Sequence, residues 1–450
     1  MDNKQEFIQY LIEKKKPQNY IDQCDKFFNR LQRRLGGEPP TMEVIDKFAR
    51  HTWSGYATQD KMMYEFLDTY ATFCENKVLE FANAVHRHIK EAFEGLTKKA
   101  VRKYKSAIVF IPDDAKINPL FLEGLSNEEF IDAFRTWQEL VYSIYEDIEK
   151  GSPFEWGFSS WKALGVDGVD QSRVMNILKE LAECGQISGD ALVVDKKQFG
   201  KACKPLNAAR LMLEKFTDMG LIAEGLDNKK LNTFTVYCPD TPNLVKVMTT
   251  YFKKQMKNCS HDCNKCAKKC WHHIRDFSYR YVEETERSPQ ETYYLAHTEG
   301  SSEAVREIYE YLHDEAAKYG FYFQGSFEMG GLLYKKGSKK WLLVGSGSSY
   351  HECDYLCSPD YEIAVKAKFK NIFKKHLNKA NELIKRFPNA FARSGTGCYN
   401  CSVNCENRIS FEVNDKEKHH CGNHFAYFHA PTLNDVKYLL ELHKLENNIK

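Results

Sequence analysis

The sequence predicts a multidomain protein, mainly α with α+β parts. Three observations lead there. At 450 residues the chain is longer than one hydrophobic core usually serves. Apolar residues recur at three- and four-residue steps through the first third, and alternating apolar runs with Gly-rich turns come only later. With 42% hydrophobic and 13% aromatic residues, enough apolar surface exists to offset chain entropy throughout. The expected partition is a helical domain over 1–150, a second domain over 160–257, a Cys-rich knuckle and linker over 258–300, and an α+β domain over 301–450.

The helical block rests on periodicity. Between Asp60 and Glu94, the residues Met63, Phe66, Tyr70, Phe73, Val78, Phe81, Val85 and Ile89 fall on one helical stripe. A later helix opens at Ser126 with Glu129 in capping-box spacing, continues through Phe130, Phe134, Trp137, Val141 and Ile144, and stops at the Gly151 to Pro153 stretch.

The order of elements is more informative from about 165 to 238. A helix carrying Val174, Ile177, Leu178 and Leu181 leads to a strand at Ala191 to Val194, then a short helix near Lys197 to Cys203. A longer helix with Ala209, Met212, Leu213 and Phe216 closes at Gly220. Two strands follow, around Leu221 to Leu226 and Phe234 to Tyr237, joined by the polar turn Asp227 to Lys230. This order over about 168–238 resembles a winged-helix domain, which implies that the partner is nucleic acid or another protein. Charge is consistent with the first: residues 196–258 hold 12 Lys and Arg against 5 Asp and Glu, while the whole chain carries only +2. Lys201, Lys204, Arg210, Lys215, Lys229 and Lys230 are the candidate contacts to nucleic acid, with the lysine tip placed to touch the phosphate backbone.

Fifteen cysteines cluster rather than scatter. Cys259, Cys263, Cys266 and Cys270 lie within twelve residues, followed by His272 and His273. Four thiolates at this spacing suit a tetrahedral zinc ion, and Lys265, Lys268 and Lys269 would offset the negative charge of such a set. A sharper alternative exists: the spacing of Cys259, Cys263 and Cys266 resembles that of radical S-adenosylmethionine enzymes, which implies an iron–sulfur cluster at this first site and a redox enzyme or sensor. Lys265 stands where that family places an aromatic residue.

The last 150 residues alternate helix and strand. A helix runs through Val305, Ile308, Tyr309 and Leu312, strands are expected near Phe321 to Phe327, Gly331 to Tyr334 and Trp341 to Val344, and a basic amphipathic helix is expected from about Tyr361 to Phe387. A second metal site is predicted at Cys398, Cys401, Cys405 and Cys421, the last supplied by the return strand of a hairpin beginning near Arg408. The expectation is therefore two Zn2+ sites. Cys353 and Cys357 are read as packing residues.

No catalytic or cofactor-cradling set is evident. Gly345 to Ser349 lacks the lysine of a phosphate loop and the third glycine of a dinucleotide fingerprint, and neither HExxH nor GxSxG occurs. No uncharged apolar run approaches the roughly 20 residues of a membrane span, and the first residues lack an apolar signal region. A cytoplasmic, zinc-binding regulatory or interaction protein is the reading that follows.

Overall fold

The computed structural model describes residues 4–35, a few positions between 66 and 98, 101–151 except 103, Trp156, 173–203, 206–255, 277–323, most of 331–345, 363–388, 390, 407–413, 416–422 and 426–449. The described chain is mixed and mainly helical, with small antiparallel sheets.

Two helices, α1 (Lys4–Glu13) and α2 (Gln18–Leu35), open the chain. Phe7 of α1 stacks on Phe28 of α2, with centroids 5.9 Å apart, and meets Tyr70 edge-on at 5.0 Å. After a one-turn α3 (Pro119–Leu122) comes the long α4 (Asn127–Lys150). Its capping box is complete: the Glu129 amide donates to Ser126 Oγ at 3.1 Å and the Ser126 amide donates to Glu129 Oε2 at 2.7 Å. Phe130, Phe134, Trp137, Val141, Ile144 and Ile148 alternate four and three residues apart and are all buried, which makes one face of α4 a continuous apolar seam.

The next unit begins with α5 (Arg173–Cys184), then the strands β1 (Gly185–Ser188) and β2 (Ala191–Asp195). Two helices follow, α6 (Lys196–Ala202) and α7 (Leu206–Asp218), and then β3 (Ile222–Glu224) and β4 (Thr233–Tyr237). The sheet is antiparallel in the order β1-β2-β4-β3, with Val236 facing Leu192 on one side and Ala223 on the other. The helix pair is thus inserted between β2 and β3.

Packing does not divide near residue 150. Trp137 and Val141 share one contiguous core with Leu178, Val194, Phe216 and Val236. The reason is α8 (Leu244–Gln255), on which Leu244, Val245, Val247, Met248, Tyr251 and Phe252 are buried together with Thr249 and Thr250. A helix buried nearly all round must be covered from several sides. It lies against α4 and α5 at once, and its rings Tyr251 and Phe252 meet Trp137 at 5.1 and 5.5 Å.

A second core begins at α9 (Pro289–Thr298) and α10 (Glu303–Lys318). It is built on the sheet β13-β10-β9-β6, comprising β6 (Gly331–Leu332), β9 (Leu343–Gly345), β10 (Ala364–Ala367) and β13 (Ala426–His429). A second, three-stranded sheet orders β5 (Tyr322–Phe323), β7 (Tyr334–Lys336) and β8 (Lys339–Lys340). The helices α11 (Lys370–Lys375), α12 (Leu377–Arg386) and α13 (Leu433–Asn447) complete it. The single basic helix expected from 361 to 387 is instead β10, α11 and α12. Ile363, Val365 and Ala367 are buried at two-residue spacing, which is a strand pattern, and His376 breaks the helix with φ −135° and ψ 58°.

The segment 277–283 links the two cores. It forms a parallel bridge between Val109 and Ser278 and an antiparallel one between Ile117 and Glu283. Arg280 donates to both oxygens of Glu299, at 2.6 to 3.1 Å, and to Glu283 at 2.9 Å. Gly300 sits so close to the first core that a β-carbon there would stand 2.3 Å from the Ser106 carbonyl oxygen.

Candidate nucleic-acid interface

The site is assembled around the end of β2. Asp195 is the N-cap of α6 and accepts from the Gln198 amide at 2.7 Å, so a strand turns directly into a helix. Phe199, one turn on, is buried against Phe234 of β4 at 5.4 Å, which fixes the roll of α6. With Phe199 inward, Lys197 and Lys201 are exposed, four residues apart on one face of the helix.

Lys196 has a structural task. Its ammonium donates to the carbonyls of Gly225 and Asn228, at 2.6 and 2.7 Å, and its amide donates to the Asn232 carbonyl at 3.0 Å. These bonds pin the β3–β4 connection to the first turn of α6. Within that connection, Gly225 takes φ +82°, and Asn228 Oδ1 accepts from the Lys230 amide at 3.0 Å, folding the tip into an Asx turn. Lys229 and Lys230 are exposed at the tip.

The helix α7 packs Ala209, Met212, Leu213 and Phe216 inward. It ends where the Leu221 amide reaches back to the Phe216 carbonyl at 2.9 Å, with Gly220 at φ +98°. Among its described residues the outward side chains are Leu211, which is 45% exposed, Glu214, Thr217 and Asp218, with Arg210 half-buried beside them. Arg210 is ion-paired with Asp227 of the β3–β4 connection. Lys215 is half-buried.

Of the residues singled out from the sequence, Lys201, Lys229 and Lys230 are exposed, while Lys196, which draws α6 and the β3–β4 connection together, was not one of them. Lys204 lies outside the described residues. The lysine pinning the connection and its exposed neighbour Lys197 were not among the candidates. Their signal was the Asp195 cap followed by lysines at 197 and 201, which places two charges on one helical face. Nothing in the sequence alone pairs Arg210 with Asp227, seventeen residues away.

The metal candidates Cys259, Cys263, Cys266, Cys270, Cys398, Cys401 and Cys405 lie outside the described residues, as do Cys353 and Cys357. Cys421 is the last residue of β12 (Lys416–Cys421), which pairs with β11 (Arg408–Val413) in the register Arg408↔Cys421. The Gly422 amide closes the base of this hairpin on the Asn407 carbonyl at 2.8 Å. In sequence, Cys405 precedes Asn407 by two residues. Among the described residues, no group of three or more His, Cys, Asp and Glu side chains forms a metal-holding set.

Two further thiols are described near α5 and α6. Burial pushes the Cys203 thiol up to about 12, with Glu180 adding to it, and burial likewise raises Cys184. Both are held as poorly nucleophilic thiols at neutral pH. Among the described residues, no helix is long and apolar enough to cross a membrane. Comparison with protein-family models, with curated proteins and with solved structures returned no match to this chain.

Proposed function

We propose that this protein binds nucleic acid through the unit spanning 173–237, acting as a winged-helix-like module, and that its cysteine clusters hold structural zinc. One observation carries the first part. An antiparallel sheet with a helix pair inserted between β2 and β3 presents a hairpin, β3–β4, whose tip is Asn228-Lys229-Lys230. A lysine-tipped hairpin beside a basic helix can neutralise phosphates and release their counterions.

The zinc reading is supported by spacing and by one register. Cys398, Cys401 and Cys405 precede β11 in sequence, and the backbone register pairs Cys421 with Arg408, the first residue of that strand. Four thiolates would make a closed, structural site. The alternative at Cys259, Cys263 and Cys266 is an iron–sulfur cluster.

The test of the first part is fluorescence anisotropy of a labelled duplex with the full chain over a salt series. Affinity should fall linearly in log–log form and drop when Lys229 and Lys230 become Ala; salt-independent or absent binding refutes it. Metal analysis of anaerobically purified protein tests the second, with about two zinc per chain and no visible absorbance expected. Iron with absorbance near ~400 nm would replace zinc by a thiolate-held cluster. A second reading, recognition of a protein, is favoured by the exposure of Ile187, Leu211 and Leu231 on the same unit.

A further inference from the structure

We infer that the nucleic-acid contact is made by the edge formed by α6 and the β3–β4 tip, through Lys197, Lys201, Lys229 and Lys230, and that it is blind to base sequence because the described outward face of α7, from Arg210 to Asp218, offers no free base-reading side chain. The inference rests on the nucleic-acid reading above and says which element makes the contact.

In a helix pair followed by a hairpin, the second helix is the one whose outward face would enter the major groove. Direct readout needs Arg, Lys, Asn or Gln side chains free on that face, because these match the donors and acceptors of base edges. The outward residues described on α7 are Leu211, Glu214, Thr217 and Asp218, two of them carboxylates that would meet phosphate with the wrong sign. Arg210, the cation best placed to reach a guanine, is engaged by Asp227. Lys215 is half-buried on the same helix.

The neighbouring edge has the opposite character. Lys196 ties the Gly225 and Asn228 carbonyls to the start of α6, which fixes the hairpin connection against the helix bearing Lys197 and Lys201. Four exposed lysines are therefore presented on two elements tied to each other by the Lys196 hydrogen bonds. Lysine is a compact point charge with no planar fork, suited to phosphate oxygens and poor at discriminating bases. Asp227 is the one acidic residue of the connection, and it is spent on Arg210.

The experiment measures affinity and salt slope of the full chain for three unrelated duplexes of equal length. The expected result is affinities within about twofold of one another. The variant Lys197→Ala/Lys201→Ala/Lys229→Ala/Lys230→Ala should lose binding, with the slope smaller by about three to four units, since each phosphate neutralised contributes about 0.9. Leu211→Ala and Glu214→Gln should leave affinity within about twofold. Asp227→Asn frees Arg210 for a phosphate and should steepen the slope by about one. Sequence preference that disappears with Arg210→Ala overturns this inference while leaving the nucleic-acid reading intact, and a four-lysine variant that binds like the parent overturns this inference together with the lysine-tip contact on which that reading stands. No salt-dependent binding to any duplex at low salt overturns both. Far-ultraviolet circular dichroism and the urea midpoint verify that each variant is folded.

Discussion

Gln138 is a polar residue with no exposed surface in the middle of α4, and replacing it with Leu should loosen the first core at one defined place. Its Oε1 accepts from the Ile111 amide at 2.9 Å and its Nε2 donates to the Val109 carbonyl at 2.7 Å. Both partners lie on the extended segment that leads into the bridge between Val109 and Ser278. Leu is apolar and only slightly larger than Gln, so the main cost is polar. The Ile111 amide would be left buried without its acceptor, about 1–3 kcal/mol. The Val109 carbonyl keeps the Tyr279 amide at 3.3 Å, so losing its shorter bond removes only a typical net contribution, about 0.5–1.5 kcal/mol. The sum is about 2–4 kcal/mol, which at an m-value of about 2 kcal/mol/M moves the urea midpoint down by about 1–2 M. Trp137 adjoins Gln138 and packs on Phe277 at 4.3 Å, so tryptophan emission of a variant that keeps Trp137 as the one tryptophan reports this core. Thr136→Ala, which removes one bond to Asp132, serves as the control and should move the midpoint little. A Gln138→Leu midpoint indistinguishable from the parent would refute the assignment of Gln138 as the clamp on residues 109–111.

Further outcomes follow from the same geometry. Gly300→Ala places a β-carbon 2.3 Å from the Ser106 carbonyl oxygen, backbone that cannot swing aside; a destabilisation of about 1–3 kcal/mol is expected in chemical denaturation. Ser126→Ala removes the side chain that accepts from the Glu129 amide and should cost about 1 kcal/mol by the same assay. Burial pushes the Glu446 carboxyl above the ordinary carboxylate range, although the amides of Asn371 and Ile372 donate to it at 2.9 and 2.8 Å. Its folded pKa exceeds the unfolded one, so its contribution is fully present below the ordinary carboxylate pKa of about 4.3 and is lost as pH rises through the folded value. Midpoints of the parent measured against Glu446→Gln should therefore fall across that window and level off above it; a pH-independent difference would contradict the sign. Finally, Cys421→Ser should lower the zinc content by about one ion per chain if Cys421 completes a four-thiolate site, and an unchanged content would remove it from the ligand set.

The helices of strong period were legible from the chain itself. On α4, a capping pair at Ser126 and Glu129 and an apolar residue at every third or fourth place leave little choice, because local bonding and burial agree. Most elements between 173 and 237 were legible for the same reason, each being short and of one clear period, but the strand β1 at Gly185–Ser188 was not read from the sequence. Period failed from 361 to 387, where lysines spaced along a helical stripe masked three buried alternate residues, Ile363, Val365 and Ala367. The chain also left α8 and α13 unmarked, since their buried faces are defined only by what surrounds them.

Composition and spacing alone determined the basic middle segment, the two cysteine clusters as candidate ligands and the lysine turn at 229 and 230. Tertiary structure alone decided which of those charges are available. Arg210 is neutralised by Asp227 and Lys196 is consumed in holding carbonyls, while Lys197 and Lys201 are left exposed because Phe199 is drawn inward against Phe234. The physical reason is range: periodicity and capping act over three or four neighbours, whereas ion pairing and burial depend on residues that only folding brings within a few ångströms.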